Sequence, residues 1–194
     1  MNTQINQLIP ESQPIWRPGI VNYMVDIETY ATVPNAVILS LGFCRFNWNG
    51  PGFGFYQAYN PHTQYGRIKD LKTEEWWASQ GDAPIHGTLD LKFGLEQFID
   101  LLEKNKFNSG DSIEIWAQGT DFDIVILEDA MRSFGLAIPW KYNAKSDLRT
   151  LIKYNKDIYI EDITNTQKHN AMSDAIYQAK VATRILNILA DRRM

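Results

Sequence analysis

A chain of 194 residues with 19 basic and 23 acidic side chains, net charge −4, is sized for one domain and lacks the basic excess of a protein that coats nucleic acid through bulk charge. Apolar residues at 44% and charged residues at 22% exclude global disorder, and a lone cysteine, Cys44, excludes an internal disulfide and a cysteine-built zinc site. No run approaches the ~18 apolar residues of a membrane span, and residues 1–20 lack a secretory signal's basic start and apolar stretch, so a soluble cytoplasmic protein is expected.

Pro10, Pro14 and Pro18 block a continuous helix at the start, so residues 1–20 are read as an extended, loosely held arm and residues 21–194 as one domain. VNYMVDI from Val21 has the β-branched run of a strand buried on both faces, and residues 37–59 read as a hairpin turning at Asn49-Gly50-Pro51-Gly52. Residues 60–87 are polar and turn-rich, apart from the pair Trp76-Trp77. Leu91, Leu95, Phe98, Ile99 and Leu102 then fall on one face of a helix, and IEIWA is a fourth strand. DFDIVILEDAMRSFG opens with a capping Asp and closes at Gly135, as a helix does. Ile138–Tyr142 reads as a further short strand, SDLRTLIKY as a capped helix and SDAIYQAKVATRILNILADRR as the last helix. This order gives an α/β fold with a mixed sheet, antiparallel at the hairpin and parallel where helices cross over, whose site lies beyond the strand ends.

The acidic residues gather at those ends. Asp26 and Glu28 are two apart on the first strand, so they share a face, and two adjacent carboxylates repel unless a cation lies between them. Asp121 and Asp123 stand where the fourth strand passes into its helix, and one of them is expected to be the N-cap. Pairing of the fourth strand beside the first would bring a carboxylate from there to Asp26. His169 and Asp174 form a third piece, where a loop meets the last helix.

Together these pieces resemble the DnaQ-like exonucleases of the ribonuclease-H-like fold, in the subgroup with four acidic residues and a histidine (DEDDh). Asp26, Glu28 and Thr29 match the D-x-E-T motif, GTDFDIVIL matches the second motif with the third carboxylate on Asp123, and His169 with Asp174 matches H-x4-D. The text around DIET, the pair Trp76-Trp77, PWKYN, SDLRTL and HNA are similar to the exonuclease-VIII-like and phage exonuclease branch. The resemblance implies a central five-stranded mixed sheet flanked by helices. It also implies a metal-dependent 3′-5′ exonuclease that releases 5′-mononucleotides from the 3′ end of single-stranded DNA.

On that resemblance Asp26, Glu28, Asp123 and Asp174 hold two Mg²⁺ or Mn²⁺ ions ~3.5–4 Å apart, with Asp26 bridging. His169 acts as general base. Thr29, Tyr30 and Trp77 are the expected substrate contacts. Three questions stay open at this point: RNA or short oligoribonucleotides in place of DNA, a non-catalytic nucleic-acid-binding module on the same fold, and a homodimer in place of a single chain.

Overall fold

The computed structural model describes residues 15–80, 87–158, 160–165 and 167–192. The strand expected from Val21 is β1 (Ile20–Thr29), and its two-residue alternation divides the interior in two. Val21, Tyr23, Val25 and Ile27 enter one core, whereas Met24 enters a second core on the opposite face. Asp26 and Glu28 follow Met24 along that second face.

The expected hairpin is β2 (Ile38–Asn47) and β3 (Gly50–Ala58). β1 and β2 are antiparallel, as are β2 and β3, while β4 (Ser112–Ala117) lies parallel to β1 from Ile20–Ser112 to Met24–Trp116. The fifth strand, β5 (Lys145–Asp147), runs parallel to β4, so the five strands stand in the order β3-β2-β1-β4-β5. The strand expected over Ile138–Tyr142 is not formed. Pro139 has no N–H to give a ladder, and Trp140 is instead drawn into the core, its indole N–H on Glu128.

Two helices cover the first core. α2 (Leu91–Lys104) begins at Asp90, whose side chain accepts from the Phe93 N–H, and buries Leu91, Leu95, Phe98 and Leu102 as its periodicity predicts. α3 (Asp123–Ser133) runs into Phe134 and the left-handed Gly135. On the other face α4 (Leu148–Tyr154), capped by Asp147, and the long α5 (Ala171–Asp191), capped by Asn170, close the second core.

One helix falls in the stretch read as turns. α1 (Leu71–Ser79) starts from Asp70 and buries only Trp77, so it carries almost no amphipathic signal. The expected arm lies outside the described residues over 1–14. Residues 15–19 are not loosely held: Trp16 is buried edge-on against Phe46 with its indole N–H on Asn187, and Arg17 pairs with Glu114. No helix among the described residues is long and apolar enough to cross a membrane.

Candidate active site

Asp26 and Glu28 reach the end of β1 on the face covered by α5. Asp26 stands opposite Gly42 of β2, and the first turn of α5 rests directly on that glycine. A Cβ there would lie 2.2 Å from Ala171 C and Met172 N, so only a glycine lets the helix approach so closely. The approach sets Asp174, in the first turn of α5, against β1. Oxygens of Asp26, Glu28 and Asp174 lie within 4.8 Å of one another.

Asp123 joins from the neighbouring strand's end. The N-cap of α3 is Phe122, with no side-chain cap bond, so neither Asp121 nor Asp123 has the capping role expected of one of them. Asp123 is the first residue of the helix, buried, and its Oδ1 accepts from the Ile27 N–H at 3.2 Å. That N–H lies beyond the last β1–β4 pair, so the carboxylate takes the place of a missing strand partner. The turn before it is fixed from β5 and α4. Asp147 accepts from the Thr120 N–H at 3.0 Å, and Arg149 donates to the Gln118 carbonyl at 2.8 Å.

His169 immediately precedes the α5 cap and has φ +63°, a left-handed backbone. Its ring meets Trp76 edge-on at 5.0 Å and Trp77 at 6.0 Å. Asp26, Glu28, Asp123, His169, Asp174 and Gln178 line one open cavity of about 240 Å³. All five residues expected to carry the chemistry are therefore in one place.

The three expected substrate contacts are not displayed there. Thr29 is buried with its hydroxyl on the Ala31 carbonyl at 2.7 Å, and Tyr30 is buried with Val37 and Leu39 where segment 31–37 folds back over the strand end. Trp77, 3% exposed, donates its indole N–H to the Thr29 carbonyl at 2.9 Å and is a core residue beneath the site. Its neighbour Trp76, 40% exposed, is the one at the rim. Two polar residues that the motifs did not flag complete the surroundings. Gln178 donates to Asp26 Oδ1 at 2.7 Å, and Asn165 donates to Asp174 Oδ1 at 2.6 Å.

Residues 21–186 match the family described as the 3′-5′ exoribonuclease Rv2179c-like domain. The chain belongs to this family. No curated protein sequence matches it. Among solved structures, the Rv2179c-like chain is similar to the nuclease domain of 3'hExo, a DEDDh family member bound to rAMP, with TM-score 0.62 and 13% identity over 88% of this chain and 94% of that one. A full-length 3'-exonuclease gives TM-score 0.63 and 14% identity over 88% of this chain and 83% of that one. Escherichia coli exonuclease I in complex with a dT13 oligonucleotide gives 0.61 and 15% over 89% of this chain, which spans only 42% of that enzyme. The Rv2179c-like fold is thus the ribonuclease-H-like fold of DEDDh exonucleases, and the protein is a metal-dependent 3′-5′ exonuclease.

The electrostatics fit a cation-binding site. Burial, and then the charges of Asp123, Glu28 and Asp174, hold Asp26 well above the usual carboxylate range. Glu28 is pushed up to about 8 by burial, then by Asp174 and Asp123. Burial lifts Asp123 to about 7 against the pull of the Ile27 N–H, and lifts Asp174, which His169 partly offsets. The Rv2179c-like site is therefore short of positive charge, and its all-oxygen donor set suits a hard divalent cation.

Proposed function

We propose that the protein releases nucleoside 5′-monophosphates one at a time from the 3′ end of single-stranded RNA, using Mg²⁺ or Mn²⁺. The observation that carries this reading is the convergence of Asp26, Glu28, Asp123 and Asp174 with His169 in one open cavity. RNA is favoured over DNA by the description of the matching family and by the rAMP in the 3'hExo structure. Single-stranded DNA is the second reading, favoured by the dT13 oligonucleotide on exonuclease I. The proposal takes residues 21–194 as one exonuclease domain working in the cytoplasm, as a single chain or as a homodimer.

Asp26, Glu28, Asp123 and Asp174 would hold two divalent cations, for which their carboxylate oxygens are the hard donors. When bound, such ions acidify the attacking water and neutralise charge gathering on the phosphate. His169 takes the water's proton at its imidazole as the water oxygen bonds to phosphorus. The bond from phosphorus to the 3′ oxygen breaks, and that oxygen takes a proton from solvent. The products are a mononucleotide carrying the phosphate at its 5′ carbon and a chain one residue shorter with a 3′ hydroxyl. Trp76, exposed beside His169, offers a ring face on which the terminal base can stack.

The test uses single-stranded RNA and DNA of identical sequence, labelled at either end, with Mg²⁺, Mn²⁺ or EDTA. The expected result is metal-dependent loss of the 3′ label as a mononucleotide, faster from RNA, and none with Asp26→Asn protein of unchanged circular dichroism. Faster loss from DNA would select the second reading. Cleavage that persists in EDTA or in the Asp26→Asn variant would overturn the metal assignment.

A further inference from the structure

Gln178 lies one helical turn beyond Asp174 on α5, so both side chains stand on the face that α5 turns to β1. It is 5% exposed, and its near neighbours on the helix, Ala175, Ala179 and Ala182, are buried in the second core. A polar side chain here costs free energy, because its Oε1 is fully buried with no hydrogen-bond partner. An apolar residue of the same length would fill the position without that cost. Packing therefore does not account for a glutamine.

The other end of the amide does. Gln178 Nε2 donates to Asp26 Oδ1 at 2.7 Å, across 152 residues of sequence, and among the described residues it is the one side chain that donates to Asp26. Asp174 is held by a different partner, the Asn165 side chain, which donates to its Oδ1 at 2.6 Å. Asp26 depends on a single donor. Gln178 lines the same open cavity as the carboxylates.

We propose that Gln178 is a positioning residue: its amide fixes one oxygen of Asp26, leaves the other for the cations, and thereby sets the cation affinity of the site. The proposal rests on the metal-dependent exonuclease reading. Partners that orient metal-ligating carboxylates commonly govern affinity by about 10- to 100-fold.

The test is Gln178→Met, which keeps an unbranched side chain of similar length and removes both polar atoms. Mn²⁺ binding to the full chain is measured by calorimetry for wild type and variant, with melting in EDTA recorded alongside. Lys180→Met, an exposed change on the same helix, serves as control and keeps wild-type affinity. The expected result is about 10- to 100-fold weaker Mn²⁺ binding by Gln178→Met and melting in EDTA no lower than wild type. The Mg²⁺ concentration for half-maximal cleavage rises by a similar factor, while KM for RNA and kcat at saturating Mg²⁺ stay near wild type. Equal Mn²⁺ affinity in the two proteins would overturn the positioning role alone, and so would a variant that unfolds in EDTA, which would make Gln178 a packing residue. A wild-type protein that binds no Mn²⁺ would overturn the exonuclease reading with it.

Discussion

His169 shows how one residue can serve chemistry at the expense of backbone comfort. Its φ of +63° places it in the left-handed region, which costs an L-residue roughly 1–2 kcal/mol relative to glycine. The conformation ends the loop and turns the imidazole into the cavity, where Trp76 and Trp77 meet it edge-on. Two substitutions separate strain from chemistry. His169→Gly and His169→Ala both remove the imidazole, and each is expected to lower the single-turnover rate by about 10²- to 10⁴-fold. The glycine variant relaxes the backbone, so in urea titrations it is expected to be more stable than the alanine variant by about 1 kcal/mol. A glycine variant less stable than the alanine one would mean that the left-handed turn is not retained. A glycine variant with wild-type rate would remove the general-base role.

At the scale of elements, the site exists because one helix lies unusually close to the sheet. Gly42 has no Cβ where one would meet backbone atoms of Ala171 and Met172, and those atoms cannot yield without moving α5. Gly42→Ala is therefore expected to destabilise the fold by about 1–3 kcal/mol and to lift Asp174 and Gln178 away from Asp26, so that Mn²⁺ binding and cleavage fall together. Gly54→Ala is the contrasting case, because the nearest atom to its Cβ would be the mobile end of Met172. Calorimetry and melting of the two variants check the difference. A Gly42→Ala protein that bound Mn²⁺ as tightly as wild type would show that the helix contact does not position the site. Much of this arrangement was legible in the sequence. β1, the hairpin, α2 and α5 follow from hydrophobic period and end signals, and the resemblance carried by D-x-E, GTDFDIVIL and H-x4-D pointed to the four carboxylates. What was not legible depends on contacts made only in three dimensions. Gln178 reaches Asp26 across 152 residues, β5 has only three residues of pattern, and α1 buries a single side chain. Trp76 and Trp77 are indistinguishable by sequence, and only the packing of α1 against Thr29 makes one of them core and the other rim.

For the whole molecule, the acidic cluster ties stability to pH and to cations. Glu28 has an ordinary value of 4.5 and is pushed up to about 8 in the fold, and Asp123 is lifted from 3.8 to about 7. A carboxyl whose folded value is raised favours the folded state while protonated. Its contribution is full below the unfolded value and is lost as pH rises through the folded value, because the fold must then hold an ionised group that the unfolded chain solvates. Glu128 and Asp147 are pushed down by their partners, so their contributions change only at more acid pH. The window from about pH 5 to about pH 8.5 thus belongs to the cluster. In EDTA the melting temperature is expected to fall across that window. A divalent cation binds the ionised carboxylates and competes with protons, so its stabilising effect should be larger near pH 8 than near pH 5, which flattens or reverses the fall. Asp26→Asn removes one member of the cluster and its repulsion, so in EDTA that variant should melt higher than wild type near pH 8 and respond less to Mn²⁺. Melting curves in EDTA, Mg²⁺ and Mn²⁺ at several pH values measure all of this without any substrate. A melting temperature in EDTA that holds constant or rises between about pH 5 and about pH 8.5 would mean that the carboxylates are already compensated within the protein, and the cluster would lose its claim to the cations.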